Sequence, residues 1–345
     1  MSPIKARPST TSDTRTTNTE LIALELSDSD GEVDEDFFVE DDMGVADARE
    51  RSGSRVESTI RSCIGNTLAP ITRKLKTREE QCVNACLAPK DERLLHKEVA
   101  SWREPGFNRS VTRMDIVNSN TGQKWLNDAF INFYMALWSQ HAALRARVRR
   151  REPASAIFVQ TFFHETLRSK GYEGVKKWSQ KKGQHGFDWL DARYIFVPVN
   201  RGGVHWVAAI IDTTERVVHL LDSMNGAHAW AEEVCERLVL WVVRDSIEKE
   251  HAKRELVADK SGWTHRVEVV PYQTNNHDCG VFVLSFARDL LDKERMDTDG
   301  PALACSFDSA DMPKIRRALI WDILDHGVDD TRRQRREPKL LQISQ

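Results

Sequence analysis

Apolar positions show no helix or strand period over residues 1–60. Residues 1–20 are rich in Ser, Thr, Pro and Arg, and from Glu20 to Glu50 thirteen acidic residues stand against one base, Arg49. Such a stretch cannot bury enough apolar surface to offset its own repulsion and is predicted to be disordered. Between 60 and 100 the pattern is mixed. An amphipathic helix is expected around Glu79 to Leu87, and packed order from near Trp102. Asn127-Asp128 caps a predicted helix running from Ala129 to about Gln140. Phe130, Phe133, Tyr134 and Leu137 form one apolar stripe on it, and Ile131, Met135 and Trp138 a second, which marks a buried helix. Arg145 to Arg151 reads as a basic loop or a frayed helix end, closed by Pro153.

The centre of the chain changes period. Tyr194 to Val199 and His205 to Ile211 read as strands on either side of a turn at Arg201-Gly202-Gly203. Val217 to Leu221 is a third strand after a short polar turn. Their near-continuous apolar character predicts a sheet covered on both faces. A helix from about Ala229 to Glu250 follows, then a strand over Val267 to Val270 stopped by Pro271. Another helix begins at Cys279 and runs through Leu291, and Pro313 opens a last one. Helices and strands in this order, without regular βαβ alternation, predict an α+β domain.

Composition narrows the class. The chain is 40% hydrophobic and 30% charged, and no apolar run approaches the roughly 18–20 residues of a membrane span. The first residues lack the apolar core of a secretory leader, so a reducing intracellular compartment, nucleus or cytoplasm, is expected. Six irregularly spaced cysteines fit that expectation. Cys82 and Cys86 have no second Cys/His pair at ligand spacing, so no metal site is predicted. The net charge of -3 gives no reason to expect direct nucleic-acid binding.

Three placements carry chemistry. His205 begins a strand, Asp222 ends the next, and Cys279 opens a helix. Adjacent antiparallel strands bring the start of one beside the end of the other, so His205 and Asp222 are predicted neighbours. A carboxylate beside an imidazole orients it and stabilises the imidazolium. A cysteine at a helix N-terminus sits at the positive end of the dipole, which favours the thiolate. The backbone N–H of Cys279 and the side-chain amide of Gln273 can serve as oxyanion donors. Gly280 lets the backbone pack closely behind the nucleophile. Singly, each motif reads as a core histidine, a turn aspartate or an inert thiol; jointly they describe nucleophilic catalysis by cysteine.

From Val111 to Gly327 the chain resembles the SUMO-specific cysteine proteases of the ubiquitin-like-protein protease group. The likeness lies in Trp125-Leu126-Asn127-Asp128, Ile131-Asn132-Phe133-Tyr134-Met135, Phe162-Phe163, Gly171-Tyr172 and Ile195-Phe196-Val197-Pro198-Val199. It continues through Val204-His205-Trp206, Leu221-Asp222-Ser223-Met224, Gln273, Asn276-His277-Asp278-Cys279-Gly280 and Met312-Pro313. The resemblance implies a papain-like fold with a central mixed sheet flanked by helices and a triad in the order His-Asp-Cys. It implies Cys279 as nucleophile, His205 as base and then acid, Asp222 as orienting carboxylate and Gln273 as oxyanion donor. Trp125 and Trp206 would flank the substrate's C-terminal Gly-Gly, and Asp128 would contact the modifier. The implied activity is maturation and deconjugation of SUMO without a cofactor. A protease for another Gly-Gly modifier such as NEDD8, an acyltransferase using the same residue set, and a non-catalytic modifier-binding protein are the rivals.

The expected domains are a mostly disordered acidic region, 1–100, a catalytic domain, 101–328, and a basic tail, 329–345. Leu21, Ile22, Leu24 and Leu26, followed by Ser27-Asp28-Ser29-Asp30, resemble a SUMO-interacting motif that would add a strand to the modifier's sheet edge. A monomer is expected. The segment 142–156 looks like an insertion, and its arginines and those at 332–336 read as import signals or solvated basic faces.

Overall fold

The computed structural model describes residues 69–88, 92–104, 107–120, 124–148, 156–179, 188–225, 229–251, 253–296 and 305–326, all within one unit of the chain, Ser58–Gln345. In chain order its main elements begin with α1 (Thr77–Leu87), β1 (Glu98–Glu104), β2 (Phe107–Thr112), α2 (Arg113–Asn120) and α3 (Asp128–Val148). Next come β3 (Ala156–Phe158), α4 (Phe162–Lys170), β4 (Tyr194–Arg201), β5 (His205–Asp212) and β6 (Val217–Leu221). The series ends with α5 (Ala229–Glu248), β7 (Thr264–Val267), α6 (Cys279–Met296) and α7 (Met312–His326). The acidic N-terminal region with Leu21, Ile22, Leu24 and Leu26, and the basic tail at 329–345, lie outside the described residues.

Strands β4, β5 and β6 form an antiparallel meander, and β3 and β7 pair in parallel on its two outer sides, giving a mixed sheet in the order β3-β4-β5-β6-β7. Successive side chains of a strand point to opposite faces. Ile195, Val197, Val207, Ala209 and Ile211 therefore join one apolar cluster with Phe163 of α4 and Leu238 and Trp241 of α5. Phe158, Phe196, Ala208, Ile210 and Leu221 join another, with Phe130 of α3, Phe282 of α6 and Ile320 of α7. Both strand parities are apolar because both faces are covered. This is the α+β class that the pattern predicts, with the mixed sheet flanked by helices that the resemblance implies.

Three boundaries differ from the sequence expectation. Helix α3 begins where Asn127 caps it, the Asn127 Oδ1 accepting from Phe130 N at 3.0 Å. It runs on past Gln140 to Val148 because Ala142 and Ala146 are buried in the core and Arg145 Nη1 donates to the Leu291 carbonyl of α6 at 2.9 Å. The helical part of the basic run is thus held by tertiary contact. Strand β7 lies at Thr264–Val267 and not at Val267 to Val270; beyond Glu268, whose N–H bonds Leu220, the chain leaves the ladder and Val269 is 97% exposed.

The third difference concerns where the folded part starts. Ile71, Leu75, Cys82, Val83 and Cys86 are buried in the same cluster as α3, α6 and α7, well ahead of Trp102. Polar contacts fasten the segment: Arg113 Nε to the Cys86 carbonyl at 2.8 Å, and Arg317 of α7 to Glu80 at 2.7 Å and to Asn84 at 2.7 Å. We infer that the catalytic unit includes residues from about 69, against the boundary at 101 expected from pattern. Five buried apolar residues, at roughly 1–3 kcal/mol each, rival the whole stability of an ordinary domain. A chain beginning at residue 101 is therefore expected to lack a cooperative melt, or to melt at least about 10 °C below one beginning at residue 58, by circular dichroism. Equal melting temperatures would return the boundary to 101.

Candidate active site

His205 opens β5 directly after the hairpin turn, with Arg201 as its cross-strand partner. Asp222 follows the last residue of β6. The β5–β6 register ends at the Ala208–Leu221 pair, so the two strand ends converge and His205 Nε2 lies 2.8 Å from Asp222 Oδ1. The same Oδ1 accepts from Met224 N at 2.9 Å, which fixes the carboxylate against its own turn. Asp222 is buried and His205 half-buried. Cys279, the first residue of α6, is the second side chain that acts on the imidazole. The fold thus brings together the three residues that the sequence pattern places at two strand ends and a helix start.

The electrostatics of the histidine follow from those partners. Burial of the ring opposes its charged form. The hydrogen bond to Asp222 and the influence of Cys279, with the attraction of both groups, outweigh that and raise the His205 pKa to about 9. The imidazolium is thus the resting form at neutral pH. Burial pushes Cys86 up to about 11 and Cys235 and Cys305 up to about 12, so they remain protonated packing residues. Among the described residues, no group of three or more His, Cys, Asp or Glu is placed to hold a metal ion.

Gln273 is buried on the loop before α6, and its backbone and side chain are both tied to the end of β6. Its N–H donates to the Ser223 carbonyl at 2.6 Å and its Oε1 accepts from Ser223 Oγ at 2.8 Å. Its Nε2 donates one hydrogen to the Asn275 carbonyl at 2.6 Å, which leaves the amide's second hydrogen. Asn275 in turn shapes the nucleophile loop: its Oδ1 accepts from His277 N and Asp278 N, both at 3.0 Å, and its Nδ2 donates to Asp278 Oδ2 at 2.7 Å.

The two tryptophans are also brought to the site. Trp125 is 44% exposed, and its indole N–H donates to the Asn276 carbonyl, three residues before Cys279, at 2.6 Å. Trp206, next to His205, is only 4% exposed and donates to the Leu126 carbonyl at 3.0 Å. Leu126 is also what makes Gly280 necessary: a Cβ there would meet the Leu126 Cβ at 2.9 Å. Asp128 stands half-buried in the first turn of α3, three residues beyond Trp125.

Four residues that pattern reasoning did not single out complete the arrangement: Ser223, Asn275, Asp278 and Arg316. Asn275 had a usable signal, because an asparagine a few residues before a helix start is a turn former. Ser223 sits beside a candidate residue but gives no pattern of its own. Asp278 pairs with Arg316 of α7 at 2.7 Å, thirty-eight positions away, and nothing local marks that partnership.

Comparison with known proteins bears on the fold and the family. Residues 124–331 match the Ulp1 protease family, C-terminal catalytic domain. Human Sentrin-specific protease 2 is 31% identical over 221 residues, covering 63% of this chain and 33% of that protein. Mouse Sentrin-specific protease 3 is 25% identical over 321 residues, covering 84% of this chain and 51% of that protein. The matches thus span a third to a half of these relatives' lengths. The Chaetomium thermophilum Ulp1-like SUMO protease catalytic domain superposes with a TM-score of 0.56 at 23% identity, covering 76% of this chain and 96% of that one. The Ulp1 protease domain solved in complex with Smt3, the yeast ortholog of SUMO, gives 0.55 at 22% identity over 74% and 97%. These superpositions carry the fold, and the family match spans more than half of the sequence. The chain belongs to the Ulp1 protease family.

Proposed function

We propose that this chain is a cysteine protease that cleaves after the C-terminal Gly-Gly of SUMO, maturing precursors and releasing the modifier from target lysines. The observation that carries the reading is one imidazole hydrogen-bonded to a buried carboxylate at 2.8 Å and raised in pKa by that carboxylate together with a cysteine at a helix start. In the proposed reaction the Cys279 thiolate attacks the carbonyl carbon of the second glycine. The developing oxyanion is met by the N–H of Cys279, unpaired within its helix, and by the remaining hydrogen of Gln273 Nε2. The C–N bond breaks as the His205 imidazolium passes its proton to the leaving amine. Water, deprotonated by the now neutral His205, then hydrolyses the thioester and restores the ion pair.

The substrate choice rests on Trp125 and Trp206. Indoles closing over an extended backbone leave no room for a Cβ, so glycine is demanded at both positions before the cleaved bond. SUMO, NEDD8 and ubiquitin all meet that demand. Selection among them falls to the wider surface around Asp128, where charge and shape decide. The relatives named as sentrin-specific proteases support SUMO. Leu21, Ile22, Leu24 and Leu26 are proposed as a second SUMO contact, which would assist work on SUMO chains. Among the described residues no helix is long and apolar enough to cross a membrane, and a monomer acting in nucleus or cytoplasm is the proposed setting.

The reading is tested by incubating the full chain with SUMO, NEDD8 and ubiquitin bearing a C-terminal electrophile. The SUMO probe is expected to modify Cys279 about a thousandfold faster than the others, a difference of roughly 4 kcal/mol in transition-state binding. Equal or faster modification by NEDD8 would remove SUMO from the assignment and leave the protease. No modification by any probe would remove the protease as well.

A further inference from the structure

The guanidinium of Arg316, on α7, makes four hydrogen bonds to three separate chain segments. Its Nε donates to Asp278 Oδ1 at 2.7 Å and its Nη2 to the His277 carbonyl at 2.7 Å, both immediately before Cys279. The same Nη2 reaches the Lys124 carbonyl, the residue before Trp125, at 3.2 Å. Its Nη1 donates to the Ser119 carbonyl at 2.8 Å, and the Ser119 hydroxyl accepts from Asn127 N at 3.2 Å. One planar group therefore bonds the Trp125 segment, the start of the nucleophile helix and the end of α2.

The contacts continue to the oxyanion side. Asp278 binds Asn275 through its other oxygen, and the Asn275 carbonyl takes the Gln273 amide. Displacement of Asp278 would thus move both Cys279 and Gln273. Asp278 and the Arg316 side chain are nearly buried, where a hydrogen-bonded ion pair is strongly directional. A guanidinium presents its donors in a rigid plane, so it fixes the separation of the segments it bridges; an ammonium is a point charge and cannot.

We propose that Arg316 is a positioning residue that holds the Trp125 segment and the Cys279 loop in one frame, setting the alignment of Cys279 with His205 and Gln273. The inference rests on the protease reading above, but half of its test needs no modifier. A 1 Å misplacement of reacting groups can cost roughly 10² in rate, and that is the scale expected here.

The test uses the full chain with Arg316→Lys, with Arg316→Met, and with Arg316→Met combined with Asp278→Asn. The double variant avoids leaving a buried carboxylate without its partner. Two quantities are measured per folded molecule, with the folded fraction taken from near-UV circular dichroism. One is kcat and KM on a SUMO precursor. The other is the alkylation rate of Cys279 by iodoacetamide at neutral pH, resolved by mass spectrometry from the other thiols. Arg316→Lys and the double variant are expected to fold and to lose roughly 10²-fold in kcat, with a smaller change in KM and at least a tenfold loss in Cys279 alkylation. Lysine does not rescue, because the fork is needed and not the charge alone. Wild-type kcat and alkylation in Arg316→Lys would overturn the proposal. So would losses that merely track the unfolded fraction, or variants recovered only unfolded, since Arg316 would then be a stability residue. If the unsubstituted chain is alkylated yet cleaves no modifier, the protease reading fails while the alkylation series still judges Arg316.

Discussion

Cys279→Ala is expected to reduce cleavage of a SUMO precursor to a residual rate close to background while the protein keeps its fold and its affinity for the modifier. In the proposed reaction the sulfur is the atom that forms the acyl bond. Among the described residues, burial pushes the Cys86 thiol up to about 11 and those of Cys235 and Cys305 up to about 12. The fold is preserved because alanine fits the space of a buried cysteine at a helix start and leaves no charged group unpaired. In hydrolases with such triads, removal of the nucleophile costs about 10⁶ in kcat, and the remainder comes from oxyanion donors and binding. Affinity persists because most contact with a folded modifier lies away from the sulfur. Gel-based cleavage and calorimetric binding on the same preparation measure both. Cleavage at more than a small fraction of the unsubstituted rate would take Cys279 out of the mechanism.

Asp222→Asn has the next largest expected effect, and it acts on rate and pH dependence together. Asp222 is the strongest contributor raising the His205 pKa, through the 2.8 Å hydrogen bond and its charge. A histidine with a raised pKa stays protonated until the pH climbs through that value. The charged imidazolium is therefore present at neutral pH and lost on the alkaline side of about 9. The kcat/KM profile, which reports the free enzyme, is expected to fall there. With asparagine the attraction is gone and burial still disfavours the charged ring, so the alkaline limb moves to lower pH. The amide also favours the wrong ring tautomer, and the equivalent exchange in Ser-His-Asp enzymes lowers kcat about 10⁴-fold. A loss of that order with an alkaline limb below 9 is the expected result. An unmoved limb would separate Asp222 from the titration of His205.

The asparagine experiment probes a contact whose two ends are legible in the sequence. His205 and Asp222 stand at the two ends of a strand–turn–strand pattern, and a short connection between apolar strands admits essentially one pairing. Gln273 is legible in kind but not in support: the Ser223 and Asn275 contacts that orient its amide depend on a loop path that no period encodes. The tryptophans are recognisable by resemblance. Their anchoring is not symmetric, since Trp125 is left largely exposed on a single bond to Asn276, and Trp206 is buried against Leu126.

What the sequence determined by itself is local. Apolar residues at both parities of β4, β5 and β6 require a sheet covered on two faces, and Asn127 before an apolar run starts α3. Cys279 falls at a helix start whatever surrounds it. These follow from steric and hydrogen-bonding rules that act within a few residues. Only the tertiary structure decided that residues from about 69 belong to the core, because the buried stripe of Cys82, Val83 and Cys86 is short and its partners on α7 lie more than two hundred positions away. It likewise decided that α3 continues to Val148, through two buried alanines and a carbonyl on α6. The bridging of Trp125 to Cys279 through Arg316 belongs with these. Three of its four acceptors are backbone carbonyls, which every residue carries alike, so their meeting in space leaves no trace in the order of side chains.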